Sequence, residues 1–174
     1  LLVGALCGAI HGAIVIYGRL QPLVTTIATG AVYYGIALAI RPNPGGSVDE
    51  TLADFFTGRF FGFIPASLMT LAAVVLVVWV PFSRSVTGRA AYAVGSSEAA
   101  AYMSGVNIRR AKFAAYTLSG LLAGIGGLFL TFFTYTGEAA YASGNAYTLF
   151  SIAAVVLGGV SLFGGKGSAI GAIF

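Results

Sequence analysis

The feature that constrains this chain most is a series of long stretches without a single Asp, Glu, Lys or Arg. A helix needs about 20 mainly apolar residues to cross roughly 30 Å of hydrocarbon, and each stretch is long enough. The chain is 58% hydrophobic and 8% charged, whereas soluble domains carry about 25% charged residues. The uncharged stretches are Leu20 to Ile40, Phe60 to Ser83, Phe113 to Gly137 and Ala139 to Gly165.

A fifth apolar segment, Leu1 to Tyr17, is interrupted only by His11. Together the five segments predict an all-α fold, a polytopic transmembrane helical bundle of about five spans that lies in a lipid bilayer. Residues 1–174 are expected to form a single transmembrane domain. Because the chain begins and ends within apolar sequence, at Leu1 and Phe174, we expect further helices on both sides in a longer protein.

The charged residues predict the orientation of the bundle, since basic residues remain on the cytoplasmic side of short loops. Between residues 81 and 112 five basic residues face one acidic residue, whereas residues 41–62 carry two basic and three acidic residues. We therefore expect loop 83–112 inside the cell and loop 41–63 outside. Within the outer loop, residues 49–56 are expected to form a short helix capped by Ser47 or Asp49.

Glycines recur every four residues in the first apolar segment, at Gly4, Gly8 and Gly12. This spacing places them on one helix face, where small residues allow a neighbouring helix to approach closely in lipid. Gly120 and Gly124 repeat the spacing, as do Gly167 and Gly171. We interpret these glycines as packing surfaces and the lone Cys7 as a small core residue.

One polar stretch, "YAVGSSEAAAYMSGVNIRRAKF" at residues 92–113, interrupts the oily sequence. Its alanines favour a helix, Glu98 suits the positive end of that helix, and Gly105 is a natural C-terminal stop. The pattern predicts a short, small-faced helix on the inner membrane surface that a partner protein can approach. The alternative is a connector that is tucked against its own bundle.

The residues "YAVGSSEAAAYMSGVNIRRAKFAAYTLSGLLAGIGGLF" resemble the cytoplasmic loop and following helix in the permease subunits of bacterial ABC sugar importers, a family typified by the ribose transporter permease. The stretches "IAAVVLGGVSLFGGKGSAIGAIF" and "LQPLVTTIATGAVYYGIAL" resemble the same family. The likeness covers nearly the whole chain in the correct order. Family members are roughly twice as long, in keeping with the expected missing helices.

This resemblance implies a multi-pass subunit of the bacterial inner membrane, with loop 41–63 periplasmic. Its partners would be ABC ATPase subunits, a second permease subunit and a periplasmic sugar-binding protein, and no nucleic acid is expected. A Glu-Ala-Ala motif followed by Gly marks the coupling helix that docks on the ATPase in the wider superfamily. The matching positions, with the preceding glycine included, are Gly95, Glu98, Ala99, Ala100 and Gly105.

Enzymatic alternatives fit the sequence poorly. In "FGGKGS" a phosphate loop would need Ser or Thr after Lys166 and glycine at position 160, where the chain has Gly167 and Val160. His11 has no Cys or acidic partner at ligand spacing, so we expect no metal, no cofactor and no catalytic residue. The expected role is transport without a catalytic site, with ATP hydrolysed by separate subunits.

The uncharged spans argue against an ion- or proton-driven carrier and favour a monosaccharide or similar uncharged solute. A passive channel or facilitator for small polar solutes remains an alternative, as does an ABC permease for another class such as branched-chain amino acids. Polar side chains that are candidates for the solute path include Thr25, Thr29, Tyr33 and Asn145. Helical threonines also bond to their own backbone, so packing is the competing interpretation.

Overall fold

The computed structural model describes residues 1–60, 64–137, 139, 146–161 and 167. Within these residues the fold is built from nine α-helices, one π-helical segment and a pair of two-residue strands. The helices are α1 (Leu2–Gly18), α2 (Pro22–Ile40), α3 (Glu50–Thr57), α4 (Ala66–Val74), α5 (Val80–Arg84), α6 (Val86–Ser96), α7 (Glu98–Met103), α8 (Ile108–Thr134) and α9 (Ala146–Leu157). The strands β1 (Arg59–Phe60) and β2 (Ile64–Pro65) pair antiparallel.

Three helical stretches are long and apolar enough to cross a membrane: Pro22–Ile40, Ala66–Arg84 and Ile108–Thr134. The apolar helices Leu2–Gly18 and Tyr147–Leu157 are shorter. The predicted all-α membrane bundle is therefore confirmed. Among the described residues of the last predicted stretch, the helix ends at Leu157 and is followed by Gly159 in the left-handed conformation.

The closest helix contact joins α1 and α8 through the glycines noted in the sequence. A Cβ atom added at Gly4 would lie 2.6 Å from the Gly120 carbonyl oxygen, and one added at Gly8 would lie 2.9 Å from the Gly120 Cα. No side chain fits between backbones at this distance, so glycine is required on both helices. The surface of Gly4, Gly8 and Gly12 therefore packs against the part of α8 that carries Gly120 and Gly124, as predicted, whereas Gly171 lies outside the described residues.

The span from Ala66 to Arg84 contains a π-helical segment, Val75–Trp79, in which the Val80 N–H bonds to the Val75 carbonyl. Pro81 follows immediately. Proline has no N–H group and its ring displaces the carbonyl of the preceding turn, so a wider turn before it relieves the clash. The prolines at the starts of two spans lie where a missing N–H group costs little, with Pro22 in the first turn of α2 and Pro65 as the N-cap of α4.

At the C-terminal end of α8, the loop from Arg41 to Asp49 and helix α3 cover the bundle. This loop and α3 together form a cap. Asp49 caps α3 as one of the two predicted residues, its carboxylate accepting a hydrogen bond from the Thr51 N–H. Ala53 is fully buried against α8, and the Phe56 and Phe132 rings stack with centroids 5.1 Å apart. These contacts fix the C-terminal end of α8.

The terminus of α8 is also joined to this cap by polar bonds. The Tyr135 hydroxyl donates a 2.9 Å hydrogen bond to the Asp54 carboxylate, and this bond raises the pKa of the Tyr135 phenol above its ordinary value. Gly45 and Gly137 form an isolated antiparallel bridge, and the Val48 N–H bonds to the Tyr135 carbonyl. The cap is therefore held by backbone pairing as well as by aromatic packing.

Candidate functional site

The loop between α5 and α8 folds into two helices, where the sequence predicted one. The chain turns sharply at Ser85, whose hydroxyl accepts a hydrogen bond from the Gly88 N–H at 3.0 Å and so caps α6. Gly88 is buried, and a Cβ atom there would collide with the Phe82 carbonyl. The turn brings Tyr92 edge-on to Trp79, with centroids 6.3 Å apart. Helix α6 thus folds back onto the π-helical end of the span.

Helix α7 is short but well defined at both ends. The Ser97 hydroxyl accepts a hydrogen bond from the Ala100 N–H, which satisfies one of the free donors at the helix start. At the other end Gly105 adopts the left-handed conformation with φ of 75°. The Gly105 N–H bonds to the Tyr102 carbonyl and the Val106 N–H to the Ala101 carbonyl, which is the Schellman arrangement. The helix ends at the predicted glycine.

An ion pair joins α7 to α8. The Lys112 Nζ lies 2.7 Å from the Glu98 Oε2, with the two side chains 38% and 57% exposed. It is the one ion pair of the described part of the chain. Nearby, Ala101 and Ala111 are almost fully buried, and Asn107 caps α8 by accepting a hydrogen bond from the Arg110 N–H. One face of α7 is therefore anchored to the bundle.

The opposite face of α7 is open. Tyr102 and Met103 are 74% and 87% exposed, and a Cβ atom added at Gly95 or Gly105 would meet no atom within 4 Å. The structure brings the predicted coupling residues together on one exposed segment, residues 95–105, which we call the coupling segment. These residues are Gly95, Glu98, Ala99, Ala100 and Gly105, all exposed.

The candidate path residues of α2 lie at its contact with α1. Thr25 is buried and its hydroxyl donates to the Gln21 carbonyl at 3.0 Å, and the Tyr33 hydroxyl donates to the Cys7 carbonyl at 3.0 Å. The Thr29 hydroxyl lies 2.8 Å from the Thr25 carbonyl and 2.8 Å from His11 Nδ1. These groups all bond within the bundle. Asn145 lies outside the described residues.

His11 occupies the junction of α1, α2 and α8. It is 8% exposed, and its ring meets Tyr116 edge-on at 5.2 Å between centroids. Because the Thr29 hydroxyl can donate to the Thr25 carbonyl, it can accept a hydrogen bond from the His11 Nδ1–H group. The second nitrogen, Nε2, is buried without a partner in the described part of the chain. His11 is thus a bundle-facing residue.

A cavity of about 900 Å³ opens beside the C-terminal half of α8, and sequence reasoning missed it. Its walls come from the C-terminal half of α8, the start of α9, the end of α3 and the start of α4. Many of its side chains carry hydroxyl groups, and Phe129 and Phe133 add aromatic rings. The repeated hydroxyls of "TFFTYT" and "YTLFS" were the available signal. The hydroxyl side chains are Thr57, Ser67, Thr131, Thr134, Thr136, Tyr147, Thr148 and Ser151.

Apolar spans, an exposed helical turn at one end of the bundle and a hydroxyl-lined cavity at the other define a multi-pass membrane protein of the permease class. Comparison with known protein families identifies the family to which the chain belongs. Residues 1–174 match the family described as the permease component of the branched-chain amino acid transport system. The chain belongs to this family.

Curated relatives cover the same region. The chain is 35% identical over 178 residues to the autoinducer 2 import system permease protein of Photorhabdus luminescens, covering 98% of this chain and 53% of that protein. It is 37% identical over 166 residues to the ribose import permease protein of Bacillus subtilis, covering 94% and 51%. The ribose import permease protein of Escherichia coli K12 is 35% identical over 178 residues, with 99% and 54% covered.

The chain therefore spans about half the length of the curated relatives it matches. No solved structure matches it. The resemblance to sugar-importer permeases is confirmed.

Proposed function

We propose that this chain is part of the membrane-spanning subunit of an ATP-driven importer in the bacterial inner membrane. The subunit forms the path for a monosaccharide or similar uncharged solute, and separate ABC ATPase subunits hydrolyse ATP. A second permease subunit and a periplasmic sugar-binding protein complete the assembly. The observation that carries the proposal is the coupling segment, a short anchored helix with an open face between two spans.

The open face of α7 is suited to a protein partner. Tyr102 and Met103 expose apolar surface, and small residues surround them. Large exposed side chains of this kind act as anchors when they enter a pocket of a partner. Small neighbours allow the partner's surface to approach closely. We infer that the coupling segment seats in a cleft of the ATPase subunit.

The anchored face of α7 gives the docking helix a mechanical connection to the membrane. Glu98 holds Lys112 in the first turns of α8, and Tyr92 of the preceding helix contacts Trp79 in the other span. A displacement of the coupling segment would therefore move two spans together as rigid elements. Closure of the ATPase would in this way bias the bundle between inward and outward openings.

The chemistry of the bundle supports an uncharged solute. The apolar spans carry no acidic or basic residue between Leu20 and Ile40, Phe60 and Ser83, or Phe113 and Gly137. The cavity beside α8 instead offers hydroxyls and aromatic rings, which suit a polyhydroxyl molecule through hydrogen bonds and ring stacking. Two of the relatives compared are named as ribose import permeases. We therefore favour a sugar over a branched-chain amino acid, despite the description of the family.

The test is the substitution Ala100→Glu in the full-length protein. Ala100 is exposed and lies in the middle of α7, so the permease itself has room for the larger side chain. In a packed interface the added volume and an unpaired buried charge both weaken binding. We expect normal membrane insertion, at least a tenfold weaker association with the ATPase in copurification, and a proportional loss of uptake.

Val86→Glu is the matched control, because Val86 is 78% exposed in the same loop but lies outside the coupling segment. It introduces the same charge and should leave ATPase association unchanged. Normal association and uptake in the Ala100→Glu variant would refute docking through α7. Uptake that continues without ATP in the unmodified protein would instead favour a passive channel.

A further inference from the structure

A groove of about 760 Å³ lies between the corner that joins α1 to α2, the side of α7 that carries Glu98 and Tyr102, and the start of α8. Three basic side chains line it, Arg19, Arg109 and Lys112, against the single acid Glu98. Glu98 is already paired with Lys112. Arg19 and Arg109 have no ion-pair partner among the described residues, so the groove has an excess of positive charge. We call it the basic groove.

The length of α8 places the basic groove at the depth of lipid headgroups. The helix has 27 residues and is about 40 Å long, whereas the hydrocarbon core is about 30 Å thick. Roughly two turns must therefore extend beyond the hydrocarbon. Arg109 and Lys112 lie within the first two turns, next to the uncharged stretch that begins at Phe113.

One wall of the basic groove is apolar and continues toward the membrane. Val15, Ile16 and Leu20 line the groove, and the adjoining first turn of α2 exposes Leu23 at 68% and Val24 at 58%. The positively charged part of the groove therefore adjoins an apolar surface that suits hydrocarbon chains. A soluble phosphate compound or an acidic protein segment would leave this apolar surface unused.

Arg19 is held at this site by the backbone. It is the C-cap of α1 and has φ of 50°, a left-handed conformation that non-glycine residues rarely adopt. The conformation turns the chain from α1 directly into Pro22 at the start of α2. The corner therefore presents its guanidinium group beside the first turn of α8, within one groove.

We propose that the basic groove binds one acidic phospholipid. Its phosphate lies between Arg19 and Arg109, and its acyl chains follow the apolar wall along the start of α2. Basic pockets at the ends of membrane helices recognise anionic headgroups through charge and hydrogen bonds. This inference goes beyond transport and ATPase coupling, because it assigns a lipid to a groove whose phosphate-binding residues, Arg19 and Arg109, lie outside the coupling segment, although Glu98, Tyr102 and Gly105 line both surfaces.

The experiment uses the purified full-length protein without its ATPase, so that its result is independent of the proposed coupling. Native mass spectrometry would measure the fraction of protein that retains phosphatidylglycerol or phosphatidylcholine. We expect preferential retention of phosphatidylglycerol. Arg19→Gln and Arg109→Gln should each reduce its affinity about fivefold, since one basic side chain near an anionic surface contributes about this factor.

Arg110→Gln is the matched control. Arg110 is the neighbour of Arg109 on the same exposed turn but does not line the groove, so affinity should stay within twofold of the unmodified protein. An equal loss in all three variants would mean diffuse attraction and would overturn the proposal. Equal retention of both lipids would also overturn it. Displacement of phosphatidylglycerol by glycerol phosphate at similar concentration would show a site for soluble phosphates instead.

Discussion

Helix α8 makes two contacts of opposite character, one with α1 and one with α7. The first is a backbone-to-backbone contact of glycines, in which Gly4, Gly8 and Gly120 leave no space for a side chain. The second consists of a solvent-exposed ion pair beside the nearly buried Ala101 and Ala111, and it holds a helix of only six residues. The bundle is therefore rigid where α1 and α8 cross, whereas α7, on which a partner is expected to dock, is held by weak interactions.

The largest effect is expected from Gly120→Leu, which inserts a side chain into the α1–α8 contact. The new atoms would meet the backbone of Gly4 and Gly8, which cannot move aside as a flexible side chain can. Overpacking typically costs about 1–3 kcal/mol and can cost more. We expect a large fall in thermal stability of the full-length protein in detergent.

In the matched control Gly127→Leu, on the same helix, a Cβ atom meets nothing within 4 Å. Equal losses in both variants would refute the close contact.

A smaller effect is expected from Gly105→Ala at the end of α7. The site has free space but φ of 75°, so the cost comes from the left-handed backbone and should be about 1 kcal/mol. Hydrogen exchange of the amides of Gly105 and Val106 should become several times faster while the spans keep their protection. Gly95→Ala, in the last turn of α6 with nothing within 4 Å, should have the opposite sign and slow local exchange. If Gly105→Ala and Gly95→Ala changed local exchange rates in the same direction, the left-handed cap at Gly105 would be wrong.

The smallest effect is expected from the ion pair itself. Both partners are substantially exposed, and such pairs contribute only about 0.2–1 kcal/mol. A cycle of Glu98→Gln, Lys112→Gln and the double variant should give a coupling energy in that range from exchange rates in α7, and high salt should abolish it. A coupling energy above about 2 kcal/mol would mean that α7 is held as firmly as the helix crossing, and the contrast between the two contacts would be wrong.

These contrasts show which parts of the fold the sequence can predict. Apolar runs predicted the helices because a bilayer imposes a length and permits few other structures. The four-residue spacing of Gly4, Gly8 and Gly12 predicted a packing surface, and the Gly105 stop followed from left-handed capping. Each of these inferences rests on a local rule that holds wherever the rest of the chain lies.

Features that depend on distant contacts were not predicted. The pairing of the α1 glycines with Gly120, the fold of α6 back onto Trp79, and the β1–β2 pair all require knowledge of which segments meet. The candidate path residues show the same limit. Thr29 and Tyr33 are polar residues in an apolar helix, but their place beside α1 is set by a neighbour that composition does not reveal. The hydroxyl-lined cavity was missed for this reason too.

The π-helical segment sets the rotation of the helices that follow it relative to the start of the span. A π turn is equivalent to one extra residue accommodated without breaking the helix. Each residue rotates an α-helix by about 100°. The extra residue therefore sets the direction in which the later side chains point around the helix axis. Trp79 and Tyr92 both lie at or after this turn, so removing the extra residue would rotate them together by about 100° relative to Ala66–Val74 and leave their mutual contact in place. One residue therefore determines how the first half of the span and the loop that follows face one another.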